Sequence, residues 1–370
     1  VSDLEKALKL QPFQGVAMPG AEKPGPGRQH RPHGGCNIIL LECIEIMGFF
    51  GPMTSASATS LPVLAVITNA GSTANKAGDW IDPLLAGEPG VLHLKTTGAA
   101  DIDAAVAQAA AHRAEVVVVN GGDGTVDLTF GALLNGKHFT TQPAVALLSA
   151  GKTNMTAAAW SCGGDKTDAM RRVLAARREG ALAGHAKPRH ILTVDRGDGS
   201  APLRGAFLGA ADVVNGILFC REHIYPLSLP NAVSHTLAIG LLLWRGLFSG
   251  ARAEPLEAAW RDGGEHGSFF FVSATTLDKL VLGLAPQPDH GEGALTYLSL
   301  RGGPGAMLAV MPKLLTKTFS TGTGRIVRRT DEMKLSFDGA YTLDGELFEA
   351  SRNRPLTISA RETLPIVRLP

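Results

Sequence analysis

The sequence is poor in features that would tie it to a disulfide scaffold, a metal framework, nucleic acid or a membrane span. Its 370 residues hold four cysteines, Cys36, Cys43, Cys162 and Cys220, and none forms a C-x-x-C pair. That spacing indicates neither a disulfide framework nor a zinc ladder and fits free thiols in a reducing cytosol. His30, His33 and Cys36 could be drawn as a metal cluster, but they sit in a Gly/Pro-rich stretch with no second half. Charge of one sign is lacking as well. Lys+Arg 35 against Asp+Glu 34 leaves a formal net charge of +1, which argues against a nucleic-acid binder with its usual basic excess. No run reaches the roughly 18 apolar residues of a membrane span; the nearest, residues 236–250, is shorter and carries Arg245. The apolar patch 38–50 contains Glu42 and Glu45 and has no basic region directly before it, unlike a secretory signal. No internal repeat is visible.

What remains is an ordinary globular composition, 45% hydrophobic and 19% charged, in a chain long enough for two domains. Residues 12–35 are rich in Pro, Gly, His and Arg without a period of 2 or 3.6, which predicts disorder. Residues 1–52 are expected to be an extension the fold does not need, so that the folded part starts near residue 61. From there short apolar runs alternate with helical patterns. Strands are expected at 62–68, 91–95, 115–119 and 143–148. Helices are expected at 101–114, capped by Asp101 or Asp103, and at 126–134, 154–160 and 167–179. This alternation predicts an α/β domain over 61–188, a parallel sheet covered on both faces. Beyond residue 188 strand-like runs at 190–196, 205–211, 267–274, 277–284, 294–301, 325–328 and 333–337 predict a β-rich second domain over 189–350. Residues 227–248 read as a helical hairpin or lid, and 351–370 as a C-terminal segment that can return to the first domain.

The strongest chemical signal is Asn120-Gly121-Gly122-Asp123-Gly124-Thr125, which directly follows the apolar run 116–119 and precedes a helix. Ligands of open α/β sheets bind at that edge, and a glycine turn at a helix N-terminus suits phosphate. An acid in such a loop makes sense beside a divalent cation or an acceptor hydroxyl, so Asp123 is a candidate for either. Alternatively, the segment is a tight turn with a capping Asp. A second loop, Asn69-Ala70-Gly71-Ser72-Thr73, supplies an amide, hydroxyls and backbone N–H groups. A third, 149–155, contains Lys152 and Asn154. Residues 146–153 formally satisfy a loose P-loop pattern, but 146–148 belong to the preceding strand and leave too little loop to wrap a phosphate. A late element, Asp344-Gly345-Glu346, could aim two carboxylates into a cleft or be a solvated hairpin turn.

In this order the four elements resemble the diacylglycerol kinase catalytic-domain family, whose pattern includes an N-P-x-S/A-G loop, G-G-D-G-T, G-T/S-x-N and a late D-G-E. The resemblance implies an α/β nucleotide domain, a β-sandwich and a cleft between them. It also implies an ATP- and Mg²⁺-dependent kinase acting on a lipid hydroxyl. Under it, Asn69, Ala70, Gly71, Ser72, Thr73 and Thr96 contact the nucleotide, and Asn120 to Thr125 cradle the phosphates. Lys152 and Asn154 close the ATP site. Glu346 is the proton acceptor, with Asp344 and Asp123 nearest the metal. The chain departs from the pattern at Ala70 (usually Pro), Asp127 (commonly Asn), Lys152 (usually Thr or Ser) and Met155 (frequently Asp). The structural metal site of bacterial members has only Glu292-Gly293 as its counterpart. A lipid substrate, transient membrane-surface contact from the cytoplasm and no nucleic-acid partner are expected, and a homodimer is compatible with the sequence. The rival readings are an NAD kinase, which shares the G-G-D-G loop, and a non-catalytic lipid- or nucleotide-binding regulator.

Overall fold

The computed structural model describes residues 61–162, 164–219, 222, 254–280 and 283–370, all within one compact unit. The expected N-terminal extension and the hairpin or lid at 227–248 lie outside the described residues.

The first half alternates strand and helix as its patterning predicts: β1 (Leu64–Asn69), α1 (Asp82–Leu85), β2 (Val91–Thr96), α2 (Ala99–Ala111), β3 (Val116–Gly121), α3 (Asp123–Asn135), β4 (Ala144–Ser149), α4 (Met155–Trp160), α5 (Lys166–Arg178) and α6 (Leu182–His185). The strands form a sheet of order β2-β1-β3-β4, extended by β19 (Thr363–Val367) and β5 (Ala186–His190). All neighbours are parallel except the edge strand β5. Alternate residues serve two cores. Ala65, Ile67, Val117, Val119, Val145 and Leu147 face Val106, Phe130 and Leu133. Leu64, Val66, Val116, Val118, Ala146 and Leu148 face Met170, Val173 and Leu182. Burial on both faces explains why these strands read as unbroken apolar runs.

The cap of α2 differs from expectation. Gly98 is the N-cap, and Asp101 reaches back from the third position to the backbone N–H groups of Thr97 (2.9 Å) and Gly98 (3.2 Å). Asp103 instead faces His138 at 3.2 Å.

The second half is antiparallel. Its sheet contains β6 (Leu192–Asp195), β7 (Leu203–Gly205), β8 (Phe207–Ala211), β9 (Glu254–Trp260), β10 (Gly263–Thr275), β12 (Leu295–Arg301), β14 (Arg325–Thr330), β15 (Glu332–Ser336), β16 (Gly339–Leu343), β17 (Glu346–Ala350) and β18 (Leu356–Ser359). Helices α7 (Asp212–Phe219) and α8 (Pro304–Leu315) and the short pair β11 (Ala285–Gln287) and β13 (Thr318–Ser320) complete the described elements. Three expectations need correction. His190 ends β5 of the first sheet, so the run 190–196 is divided between two sheets. The run 205–211 breaks at Ala206, whose N–H leaves the ladder to bond Asp344 and whose carbonyl accepts from Thr276. Residues 277–284 form no strand among those described. The Leu280 N–H bonds the Leu284 carbonyl at 2.8 Å, so the segment turns on itself, and Leu277 and Leu280 are apolar because they pack on the first core.

The two sheets are joined by more than the chain crossings at β5–β6 and β18–β19. Arg204 of β7 is buried, pairs with Glu362 and donates two hydrogen bonds, of 3.1 and 2.9 Å, to Asn135 at the end of α3. Asn135 in turn donates to the Pro202 carbonyl at 3.0 Å. The seam fixes α3 against the second sheet and thereby defines one wall of a cleft.

Candidate active site

Strand order 2-1-3-4 reverses direction at β1/β3, and ligands of such sheets bind outside the carboxyl ends of the strands beside that point. The loops after β1, β3 and β4 therefore meet there. Asn69 Nδ2 donates to Thr125 Oγ1 at 2.8 Å, joining the first loop to the second. The Ala74 N–H bonds the Ala150 carbonyl at 3.0 Å, joining the first to the third. Asn75 adds Nδ2 hydrogen bonds to the Asn69 and Asn120 carbonyls, at 2.8 and 3.2 Å.

The glycines are required chiefly by this packing. A Cβ on Gly121 would lie 2.4 Å from Thr125 Cβ, and one on Gly151 would lie 2.5 Å from the Gly122 Cα. Neither contact is sterically possible, so the second and third loops touch backbone to backbone. Gly124 faces the cleft from the opening turn of α3. A Cβ there would meet Glu346 Oε1 at 3.3 Å.

The cleft has a volume of about 1250 Å³. Of the residues expected to bind nucleotide, Asn69, Gly71, Ser72, Thr73, Gly122, Asp123, Gly124, Thr125 and Lys152 line it, as do Asp344 and Glu346. Ala70, Thr96, Asn120, Gly121 and Asn154 do not. Thr96 is buried and its hydroxyl donates to the Thr68 carbonyl, while buried Asn120 donates to Thr68 Oγ1. These two hold strand ends together. Asn154, in the left-handed region at φ 52°, closes its own loop: Oδ1 accepts from the Gly151 N–H at 2.7 Å and Nδ2 donates to the Gly151 carbonyl at 2.8 Å.

The carboxylates fall into two classes. Asp123 is buried, and its two oxygens accept from the N–H groups of Met155 and Thr156, each at 3.2 Å. It therefore caps α4 from a neighbouring helix, satisfying donors that Asn154 leaves without a side-chain partner. Burial pushes its carboxyl above the ordinary value, against the opposing pull of those amides.

Asp344 and Gly345 form the two-residue turn of the β16–β17 hairpin, with φ 45° and 97°. The turn does not keep the extended geometry that would put both acids on one face. Asp344 points inward, its oxygens accepting from the N–H groups of Ala206 (2.6 Å) and Phe207 (3.1 Å). Burial raises it to about 7. Glu346 is exposed in the cleft, beside the N-terminus of α3.

Sequence reasoning assigned no role to Asp127, one turn beyond Asp123. It lines the cleft, and burial and the neighbouring Asp344 carboxylate push its carboxyl well above the ordinary value. It also missed the apolar end of the cleft, where Leu128, Leu203, Phe207, Ile217, Phe271 and Phe348 gather from α3, α7 and four strands. No pattern announces that surface, because its members come from separate elements.

For a metal, the test is the donor set. Among the described residues no group of three or more His, Cys, Asp or Glu could hold an ion. Asp123 and Asp344, the expected ligands, turn their oxygens to backbone N–H groups. The residues present do not make a metal cage.

Comparison with known proteins agrees with this geometry. Residues 63–185 match the family model of the diacylglycerol kinase catalytic domain. Curated protein sequences give no match. Among solved structures, a diacylglycerol kinase from Bacillus anthracis str. Sterne is similar at TM-score 0.57 and 14% identity, covering 84% of this chain and 98% of its own. A putative diacylglycerol kinase from the same organism gives TM-score 0.61 at 15% identity, covering 84% and 99%. At such identities the likeness is one of fold: a mostly parallel α/β sheet followed by a large antiparallel region. The loops that first suggested a lipid-kinase family thus lie in, or fold against, the segment, residues 63–185, that matches the diacylglycerol kinase catalytic-domain model.

Proposed function

We propose that the protein transfers the γ-phosphoryl group of ATP to a hydroxyl group of a lipid. One observation carries this reading. Glu346, an exposed carboxylate, stands beside the N-terminus of α3 at the junction of two unlike halves of one cleft. One half offers the Asn69 amide, the hydroxyls of Ser72, Thr73 and Thr125, and Lys152; the other offers apolar side chains. A helix N-terminus favours phosphate, and the apolar half suits acyl or alkyl chains.

In this reading the acceptor oxygen forms a bond to the γ-phosphorus as the bond to the β–γ bridging oxygen breaks and ADP leaves. The hydroxyl proton passes to Glu346. Positioning and charge stabilisation dominate such transfers, and the loops, locked to one another through Asn69, Asn75 and the Ala74–Ala150 backbone bond, supply the positioning. A magnesium ion would be held mainly by the phosphates, since the chain offers no cage, and no step is assigned to it. The acceptor is diacylglycerol-like or sphingoid. Lipid delivery implies transient contact with a membrane surface; no described helix is long and apolar enough to cross one.

The test is incubation with Mg²⁺, labelled ATP and total lipid extract, followed by identification of labelled product. A labelled phospholipid is the expected result. Label appearing only when NAD replaces lipid would instead favour an NAD kinase, and nucleotide binding without any transfer would favour a regulator.

A further inference from the structure

Four large hydrophobic side chains stand exposed among the described residues: Leu128, Leu218, Leu308 and Met311. Scattered singly they would need no explanation, but they gather at two places. Leu128 lines the cleft, and Leu218 follows Ile217, which also lines it. Leu308, the most exposed at 63%, shares one face of α8 with Met311, since residues three apart are neighbours on a helix. Exposed Pro304 and Pro312 fall on that face too. The opposite face, Ala306, Met307 and Val310, is buried against Phe270, Leu298, Phe319 and Val327. Phe271 and Leu280 pack on this cluster and also line the cleft, so one apolar cluster connects α8 with the cleft. The charge around α8 is of one sign. Between Gly293 and Thr330 there is no Asp or Glu, yet Arg301, Lys313, Lys317, Arg325, Arg328 and Arg329 all fall there, in a chain whose total is only +1. Arg325 is buried and ties α8 down, donating to the Ala309 carbonyl at 2.9 Å. Arg328 pairs with Asp262 at 2.8 Å, and Arg301 lies 3.6 Å from Glu265. Lys313 in the last turn of α8, and exposed Lys317 just beyond it, form no ion pair among the described residues.

We propose that the outward face of α8 docks on an anionic lipid bilayer, with Leu308 and Met311 entering the headgroup layer and Lys313 and Lys317 meeting its negative charge. An apolar strip and cations left unneutralised are together what such a surface rewards, and neither alone holds a protein there firmly. A nucleic acid would reward the cations but not Leu308, Met311 and two prolines. A second copy of this chain, joined by the same face, would bring like charges together. Pro312 has no N–H to offer the Leu308 carbonyl, which leaves that carbonyl in need of water, so the strip sits shallow rather than deep. Through the cluster it shares with Phe271 and Leu280, α8 held at the surface keeps the apolar end of the cleft close to the lipid. The inference deepens the proposed kinase reaction, on which its turnover readout rests; its binding readout does not depend on that reaction.

The test is sedimentation of the full chain with vesicles of phosphatidylcholine, with and without phosphatidylglycerol. The parent should bind the anionic vesicles at least about fivefold more tightly than the neutral ones, and added salt should narrow the gap. Leu308→Gln with Met311→Gln, two exposed positions given a good helix former, should fold as the parent does and bind anionic vesicles at least about fivefold more weakly. Lys313→Gln with Lys317→Gln should lose most of the preference for phosphatidylglycerol while keeping the weak binding to phosphatidylcholine. In the phosphorylation assay the Leu308/Met311 pair should fall about fivefold on lipid extract presented as vesicles and stay within about twofold of the parent on the same extract dispersed in detergent, because the cleft itself is untouched. A parent that does not prefer anionic vesicles, or a Leu308/Met311 pair that binds them as the parent does, overturns the proposal. So does gel filtration that finds the parent dimeric and the Leu308/Met311 pair monomeric, since a second copy then covers the face. A parent that binds vesicles through α8 but phosphorylates no lipid would count against the kinase reading alone and leave the docking surface standing.

Discussion

The two sheets bring residues to the cleft by different rules. In the first, β1, β3 and β4 are parallel, so the loops after them emerge on one edge whatever their sequences. Three segments read independently as ligand loops were bound to meet, and the Asn69–Thr125 and Ala74–Ala150 hydrogen bonds show that they do. In the second sheet successive strands run in opposite directions and turns alternate between two ends. Only the Asp344-Gly345 turn was singled out, and its sequence alone cannot tell which end it occupies. A parallel sheet makes a site collectively; an antiparallel sheet contributes one turn to it. The first sheet should therefore supply binding shared over many groups, and the second a single group whose loss is severe.

The largest effect should come from that single group. Glu346→Gln keeps shape and hydrogen bonding but cannot take a proton. It should bind nucleotide nearly as the parent does and turn over at least about a hundredfold more slowly. Isothermal titration with a non-hydrolysable ATP analogue, alongside steady-state kinetics, checks both halves. Near-parental kcat would remove the hairpin from the chemistry and dissolve the contrast between the sheets.

The buried pair behind the hairpin should mark the second sheet's contribution in a pH series. Both carboxyls are raised in the folded state, Asp344 to about 7 and Asp127 well above its ordinary value, chiefly by burial. A group raised on folding stabilises the fold fully below its unfolded value, near 4, and that stabilisation is lost as pH rises through the folded value. The metal-free, nucleotide-free chain should accordingly lose stability between about pH 4 and pH 8, by an amount on the order of 1–4 kcal/mol. Urea unfolding at stepped pH measures it, and Asp127→Asn should flatten the slope. A curve that rises over this window would mean the pair is not buried in solution.

Much of the first half was legible because its strands are buried on both faces and its loops follow topology. What escaped was the direction of side chains at strand ends. Thr96 and Asn120 lie at or next to the strand–loop boundary, where a shift of one residue decides between cleft and interior, and packing sends both inward. Asp123 was legible as special but not as a cap for α4, since the donors it serves come from the next strand–helix connection. The apolar half of the cleft was illegible for the reason that makes the β domain hard to read: its residues are distant in sequence and share no period. Asp127 lay one helical turn from the strongest motif, yet its partner Asp344 is supplied by a hairpin near the end of the chain.

The reassignment of Asp123 carries its own test. As a cap it should act on stability first. Asp123→Asn replaces a two-oxygen acceptor with a one-oxygen acceptor and leaves an α4 N–H unpaired, so the fold should weaken by about 1–2 kcal/mol. Denaturant unfolding compared with Asp123→Ala, expected to be at least as damaging, checks this. An Asn variant of parental stability would return Asp123 to a purely catalytic role.

The smallest effect should belong to Lys152, and its size is the measure of shared binding. Lys152 is exposed on the third loop and lines the phosphate end of the cleft. Its charge would act through solvent on a polyphosphate that also meets hydroxyls, backbone N–H groups and the end of α3. One cation among so many partners contributes modestly, and equally before and during transfer. Lys152→Thr should thus raise the KM for ATP by a few-fold and leave kcat nearly unchanged, the signature of lost uniform binding. Added salt should shrink the difference between the two proteins, because an exposed charge is screened. A large fall in kcat would show Lys152 acting on the transition state, and the first sheet would then hold a decisive single group of its own.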